Sequence, residues 1–202
     1  LAKGLEVSPQ MMVPQVCTAA ELRWIKGYVE EIRADVQAAS GQTLRCRFGT
    51  MIEVVRACMR AGRLAEIAEF FSFGTNDLTQ ASFSFSREDA ENKFLPLYEE
   101  ANILQHNPFE VLDTKGVGKL MEIAVQWGRQ TKADLSVGIC GEQGGHPESI
   151  RFCHHIGLSY VSCSPHRVPI ARIAAAQAKI TEDENQNPVV RVELTEEGEV
   201  IE

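Results

Sequence analysis

A chain of 202 residues, of which 44% are hydrophobic and 24% charged, has the composition of an ordinary globular domain and is long enough to bury a core. Its net charge of -8 argues against a nucleic-acid-binding protein, because binding to phosphate backbones needs clustered lysine and arginine. No apolar run approaches the ~18 residues of a membrane span, and the six cysteines show no paired spacing, so we expect neither a membrane segment nor a disulfide framework.

The first part of the chain predicts two strands with a helix between them. The apolar residues 11–13 form a short strand, and Thr18 followed by Glu21 has the pattern of a capping box at a helix start. Apolar residues then recur at helical spacing until Gly41, which is a typical helix-ending residue. A second strand is predicted at residues 44–51.

The same alternation of strand and helix continues to residue 179. In chain order, the predicted elements are a helix around 57–69, a strand at 70–73, a long loop-rich section, a helix at 117–127, a strand at 135–140, a helix from 147 to 157, a strand at 158–163 and a helix at 169–179. Five successive strand-then-helix units predict an α/β protein with a parallel sheet. Periodicity alone leaves an open doubly wound sheet and a closed barrel as alternatives.

The two ends of the chain differ from this pattern. The chain starts at Leu1 without a methionine and without the apolar segment of a signal peptide, so we expect a fragment of a longer protein that is not secreted. Residues 181–202 form a charged, polar tail, in which 189–194 and 199–201 are compatible with a short hairpin.

Polar or reactive side chains follow four successive predicted strands. They are Glu53, the pair Asn76 and Asp77, Cys140, and the segment 162–164. Because the carboxyl ends of parallel strands meet at one edge of a sheet, we expect these side chains to converge there.

Two of these residues, Glu53 and Asp77, would bring a pair of carboxylates to the same edge. A few hard oxygen ligands with room for water and substrate suit Mg²⁺. Glu53 can equally cap the helix that follows it, and Asp77 can be an N-cap residue, so spacing alone leaves both interpretations open.

Cys140 is a candidate proton donor or acceptor at that edge, although free cysteine more often serves as a small buried hydrophobic residue. The glycine-rich segment 141–145 lacks the pattern of a phosphate-binding loop, and we interpret it as a tight turn. The histidines at 146, 154, 155 and 166 show no metal-ligand spacing and are interpreted as non-catalytic.

Three of these segments resemble the signatures of the phosphoenolpyruvate-utilising enzymes. They are residues 49–53 (GTMIE), 70–80 (FFSFGTNDLTQ) and 138–142 (GICGE). The resemblance extends over roughly residues 11–178, which is nearly the whole chain.

Longer stretches resemble one branch of that family, the phosphotransferases that interconvert ATP, phosphate and pyruvate with AMP, pyrophosphate and phosphoenolpyruvate. They are residues 84–87, 144–145, 160–165 and 167–172. The chain departs from that branch at His146 and His166, neither of which replaces a ligand of the family site. Three alternatives to this branch remain. They are the related branch whose reaction uses water in place of phosphate, a phosphoenolpyruvate-binding domain like that of the sugar phosphotransferase system, and a non-catalytic dimerisation fragment.

The resemblance implies a (β/α)8 barrel of the TIM type, of which residues 1–180 would supply about strands four to eight. It implies Mg²⁺ as the cofactor, held by Glu53 and Asp77, and Cys140 as the group that moves a proton at carbon 3 of pyruvate. The residues expected to bind pyruvate or phosphoenolpyruvate are Glu53, Gly74, Thr75, Asn76 and Asp77.

The resemblance also implies partners and a location. Family members carry a swivelling phosphohistidine domain and an ATP-grasp domain on the same polypeptide, and they form homodimers. Without those domains we expect this fragment to be inactive by itself. We expect the enzyme in the cytoplasm or in the lumen of an organelle such as a plastid, glycosome or hydrogenosome.

Overall fold

The computed structural model describes residues 7–186, and its centre is a five-stranded parallel sheet. The strands are β1 (Gln10–Val13), β2 (Arg47–Ile52), β3 (Phe70–Phe73), β4 (Ser136–Ile139) and β5 (Tyr160–Val161). All residues of β3 are buried, as expected for a parallel strand that is covered on both faces.

The strand order decides between the two architectures that periodicity leaves open. The strands lie side by side in chain order, β1-β2-β3-β4-β5, and every neighbouring pair is parallel. A doubly wound sheet reverses its order at a switch point, whereas a barrel adds each strand on the same side of the preceding one. Within the described residues the sheet is not closed, and the prediction of a partial barrel is confirmed.

Nine α-helices connect or flank the strands within the described range. They are α1 (Ala19–Ser40), α2 (Val55–Cys58), α3 (Ala61–Ala65), α4 (Thr75–Phe83), α5 (Arg87–Lys93), α6 (Leu95–Glu100), α7 (Val117–Thr131), α8 (Pro147–His155) and α9 (Val168–Gln186). Two short 3-10 helices occupy Glu142–Gly145 and Pro165–Arg167. None of the described helices is long and apolar enough to cross a membrane.

Helix α1 begins and ends as its sequence predicts. The Thr18 hydroxyl accepts from the backbone N–H of Glu21 at 3.0 Å, and the Glu21 carboxylate accepts from the backbone N–H of Thr18 at 3.3 Å, which completes the capping box. Gly41 ends the helix in the left-handed conformation, with φ of 67°, where a residue with a Cβ would be strained.

Two segments differ from the sequence-based expectation. The helix predicted around residues 57–69 is split into α2 and α3. The section after Gly74, predicted as loop, contains α4, α5 and α6. Residues after α4 form a small apolar cluster of their own around Ala90, Leu95 and Phe109, separate from the main core. Helical periodicity is weak here because α5 and α6 have only seven and six residues.

The main core lies between the sheet and its helices. Strand residues such as Phe71, Val137 and Ile139 pack in one cluster with Leu64 of α3 and Met121 of α7. Helix α9 extends to Gln186, which is beyond the predicted end of the barrel at residue 180. The proposed hairpin over residues 189–201 lies outside the described residues.

Candidate active site

The carboxyl ends of β2, β3 and β4 lie in register. Ile52 is paired with Phe73, and Phe73 is paired with Ile139. The residues that follow these three, Glu53, Gly74 and Cys140, therefore form a row along one edge of the sheet. The hydrogen bonds between neighbouring strands continue into this row. Gly74 N–H donates to Ile52 O at 3.3 Å, and Cys140 N–H donates to Phe73 O at 3.0 Å.

Glu53 is a buried carboxylate, with 2% of its surface exposed. Its Oε1 accepts a hydrogen bond of 2.7 Å from the backbone N–H of Gln15, which follows β1. None of the ion pairs in the described part of the chain includes Glu53. Burial raises the pKa of Glu53, and the negative charge of Asp77 raises it further, while the Gln15 N–H opposes both effects.

Gly74 allows Glu53 and α4 to approach each other. A Cβ atom at residue 74 would overlap with Glu53 Oε2, so only glycine fits beside this carboxylate. Gly74 is also the N-cap residue of α4, which places Asp77 in the first turn of that helix. Asp77 is exposed and lines the same cavity of about 500 Å³ as Glu53 and Gln15.

The two residues between Gly74 and Asp77 have different surroundings. Thr75 is fully buried, and its hydroxyl donates to Gln143 Oε1 at 2.8 Å, so this side chain binds another part of the protein. Gln143 in turn donates to Pro108 O at 2.9 Å. Asn76 Oδ1 is buried and has no hydrogen-bond partner in the described part of the chain. Of the two side chains, only that of Asn76 is left with an unused polar atom.

Cys140 is exposed as a residue, and its thiol donates a weak hydrogen bond to Phe73 O at 3.5 Å. Partial burial of the thiol raises the pKa of Cys140, and the negative charges of Glu53 and Asp77 raise it further. The hydroxyl of Ser72 lowers the pKa of Cys140, because it can donate a hydrogen bond to the thiolate. Ser72 Oγ is buried without a regular hydrogen-bond partner, so it is available for this role.

The structure thus brings together the residues that strand-end reasoning singled out, and it adds three others. Gln15, Ser72 and Gln143 hold or face the site, although strand-end reasoning singled out none of them. Ser72 lies inside the signature-like segment 70–80, where it is the one polar residue among the phenylalanines of β3. The segment 162–164 after β5 shows no side-chain hydrogen bond to this group among the described residues.

The carboxylate pair is compatible with a divalent cation. Within residues 7–186 no group of three or more His, Cys, Asp or Glu side chains could hold a metal ion. Glu53 and Asp77 form no ion pair with a lysine or arginine of the described residues, and as a small set of hard oxygen ligands they leave coordination positions for water and substrate, as Mg²⁺ prefers. Burial and, to a smaller extent, the charge of Asp77 raise the pKa of Glu53, and a bound cation would offset both effects.

Comparison with known proteins places this chain in a family. Residues 2–180 match the family model described as PEP-utilising enzyme, PEP-binding domain. The chain is 53% identical over 181 residues to a pyruvate, phosphate dikinase of Entamoeba histolytica, which covers 89% of this chain and 20% of that protein. A pyruvate, phosphate dikinase of Clostridium symbiosum is 53% identical over 177 residues, covering 88% and 20%. The chain spans about a fifth of the length of these relatives.

A solved structure supports the fold. A citrate lyase from Burkholderia xenovorans LB400 superposes with a TM-score of 0.55 at 11% sequence identity, covering 89% of this chain and 56% of that one. At this identity the likeness concerns the fold alone.

Proposed function

This chain belongs to the phosphoenolpyruvate-utilising enzymes, and we propose that it is the part of a pyruvate, phosphate dikinase that binds Mg²⁺ and pyruvate or phosphoenolpyruvate. The complete enzyme would interconvert ATP, phosphate and pyruvate with AMP, pyrophosphate and phosphoenolpyruvate. One observation carries the proposal: Glu53, Gly74 and Cys140 form a row along one edge of the sheet, with Asp77 lining the same cavity as Glu53.

In this proposal Glu53 and Asp77 hold the metal ion. Mg²⁺ would supply Lewis-acid stabilisation of the negative charge that develops on the substrate oxygen. Glu53 is suited to this role because the Gln15 N–H orients its carboxylate and no lysine or arginine in the described residues pairs with it. Asn76 would bind a substrate oxygen with its amide, and Gly74 and Thr75 would contribute their backbone at the start of α4.

Cys140 would transfer the proton at carbon 3. In the direction that forms pyruvate, the phosphoryl group leaves the substrate oxygen and an enolate remains. The raised pKa of Cys140 keeps its thiol protonated near neutral pH, so the S–H bond can break as a C–H bond forms at carbon 3. The Ser72 hydroxyl would stabilise the resulting thiolate. In the opposite direction the same thiolate takes the proton from the methyl group.

The rest of the reaction would take place on other domains of the same polypeptide. A phosphohistidine domain would carry the phosphoryl group to and from this site, and an ATP-grasp domain would phosphorylate its histidine. The complete enzyme would act as a homodimer in the cytoplasm or in the lumen of an organelle. The chain by itself would bind metal and substrate without turnover.

The proposed role of Cys140 can be tested in the complete polypeptide. We expect Cys140→Ala to lower the exchange of the pyruvate methyl protons with solvent by at least ~100-fold, because a general acid–base group is lost. Phosphorylation of the histidine by ATP should be unchanged. Both reactions can be followed, by NMR of deuterated pyruvate and by transfer of ³²P to the protein.

Cys46→Ala is the matched control, since Cys46 precedes β2 and its thiol hydrogen-bonds, among the described residues, only to Arg47 O. Exchange at the wild-type rate in Cys140→Ala would remove Cys140 from the mechanism. Loss of exchange in both cysteine variants would indicate a general loss of structure instead.

A further inference from the structure

The guanidinium group of Arg87, at the start of α5, joins three side chains from different segments. Its Nη2 donates to Glu142 Oε2 at 2.7 Å, and its Nε donates to Glu91 Oε2 at 3.1 Å. Its plane lies over the ring of Phe109, with the guanidinium carbon 5.4 Å from the ring centroid. Glu142 is 55 residues away along the chain, so this contact joins α5 to the turn after β4.

A single ion pair at this exposure contributes little, since the side chains of Arg87 and Glu142 are 30% and 58% exposed. The arrangement is more specific than an isolated pair. The planar guanidinium binds two carboxylates at once and stacks on an aromatic ring, which lysine cannot reproduce. The contact therefore fixes an orientation of the Glu142 turn more than it adds stability.

The backbone of Arg87 connects to the other side of the site through Gln80. Gln80 Oε1 accepts from the Arg87 N–H at 2.9 Å, and Gln80 Nε2 donates to Asp77 Oδ1 at 3.3 Å. A continuous hydrogen-bonded path thus runs from Asp77 through Gln80 and Arg87 to Glu142. Both ends of this path lie at the candidate active site.

The turn that Arg87 holds is the one that carries the thiol. Glu142 is the second residue after Cys140 and begins the 3-10 helix Glu142–Gly145. Gly141, between them, is buried and has no room for a Cβ beside Thr75 Oγ1. A displacement of Glu142 would consequently move Cys140 or press on the start of α4.

We propose that Arg87 is a positioning residue that holds the turn after β4, and with it the Cys140 thiol, at a set place relative to Asp77 and Glu53. It touches neither the reacting atoms nor the proposed metal ligands directly. The expected effect of Arg87 on methyl-proton exchange rests on the proposed function. The expected effect on alkylation of Cys140 rests on the geometry of the turn alone. An alternative is that Arg87 merely stabilises the small cluster around Phe109.

The test uses the complete polypeptide with the variants Arg87→Met, Glu142→Gln and the double variant. Lys93→Met is the matched control, because it removes another ion pair of α5, with Asp89, which has no contact with the turn. Two measurements are made on each variant. One is the kcat and KM of methyl-proton exchange on pyruvate. The other is the rate of alkylation of Cys140 by iodoacetamide, read by mass spectrometry of the peptide that contains it.

For Arg87→Met and for Glu142→Gln we expect kcat for exchange to fall about tenfold with KM for pyruvate within about twofold, because the thiol is displaced while substrate binding is retained. The double variant should lose no more than Arg87→Met alone, since Arg87→Met already removes the contact with Glu142. Arg87→Lys should recover only part of the loss. Alkylation of Cys140 should change at least about threefold in both single variants and not in Lys93→Met.

Wild-type kcat and wild-type alkylation in Arg87→Met would overturn the inference. Equal losses in Arg87→Met and Lys93→Met would also overturn it, because α5 would then act only through its stability. If the wild-type polypeptide itself shows no methyl-proton exchange, the proposed function fails, and the alkylation rates still decide whether Arg87 holds the turn.

Discussion

At Glu53, burial and a neighbouring carboxylate oppose ionisation, and the pKa of this group is raised as a result. A raised pKa in the folded state means that the group contributes stability below the ordinary carboxyl pKa of 4.5, and that this contribution is lost as the pH rises through the folded-state value. At neutral pH without a cation, Glu53 therefore destabilises the fold. A buried charge that costs stability is typical of a residue retained for binding.

The first prediction at this scale concerns Glu53→Gln, which keeps the shape of the side chain and removes its charge. Without Mg²⁺ at about pH 8, we expect a higher thermal midpoint than wild type, and at about pH 4 no difference, because the wild-type carboxyl is then neutral too. Adding Mg²⁺ should raise the midpoint of wild type and leave the variant unchanged. Differential scanning calorimetry of the complete polypeptide measures all three conditions for wild type and variant.

Glu99→Gln is the control for this experiment, because Glu99 is an exposed carboxylate in α6 that does not line the cavity. An equal midpoint of Glu53→Gln and wild type at about pH 8 would contradict the destabilising role of the charge. A full response of the variant to Mg²⁺ would remove Glu53 from the metal site.

Residue by residue, the sequence predicts the groups that follow strands and misses those that act through backbone or long-range contacts. Glu53 and Cys140 are found because apolar runs end directly before them. Gln15 acts through its backbone N–H, which leaves no mark in a side-chain pattern. The contact between Arg87 and Glu142 joins residues 55 apart, and only the fold brings them together.

Between elements, the site depends on close contact of the turn after β4 with the start of α4. A Cβ at Gly141 would overlap with Thr75 Oγ1 and lie 2.8 Å from Gln143 Oε1. Both of those side chains are fully buried and bonded to each other, so neither can move aside. The turn and the helix therefore keep a fixed spacing.

We expect Gly141→Ala to lower the free energy of unfolding by about 1–3 kcal/mol, which is typical of an overpacked buried site. Gly27→Ala is the control, because Gly27 lies within α1 with open space around its Cβ position, and alanine there should stabilise the helix by up to about 1 kcal/mol. Urea unfolding monitored by circular dichroism measures both. If Gly141→Ala left the free energy of unfolding unchanged, the turn after β4 would be able to move away from α4.

Element prediction succeeds where one periodicity persists and fails where segments are short. Helix α1 has a capping box and 22 residues of helical pattern, and its bounds are predicted closely. Helices α5 and α6 are stabilised by a local cluster around Phe109, which depends on contacts that a periodic pattern does not describe.

Across the whole molecule, exposed apolar side chains gather on the elements beside the open edges of the sheet. On α1 they recur every four residues, at Trp24, Tyr28, Ile32 and Val36, with exposures of 73, 60, 53 and 47%. The edge strand β1 exposes Met11 and Met12. An apolar stripe beside a strand edge that pairs with no other described strand is a surface that associates with another chain or another segment.

We expect the 202-residue chain, prepared by itself, to self-associate at micromolar concentration, and Trp24→Glu with Ile32→Lys to lower its average mass in light scattering. Leu97→Glu is the control, since Leu97 is 61% exposed but lies on α6, away from either edge. A monodisperse monomer with wild-type sequence would show that this stripe is tolerated in water.

At this scale the local sequence pattern predicts successive strand-and-helix units with parallel strands. The pattern does not decide whether the sheet closes into a barrel, because an open sheet and a barrel have the same local pattern. The family resemblance favours a barrel, and the strand order of the described residues, whose sheet is not closed, agrees with part of one.

The overlap between residue 74 and the Glu53 carboxylate has an evolutionary consequence. A Cβ at residue 74 would also lie 2.7 Å from Met51 Cε and 2.9 Å from Glu53 Cβ, so the carboxylate is only the nearest of three obstacles. A lineage that abandoned the acidic group would therefore still be held to glycine at position 74, because the other two atoms would remain in the way.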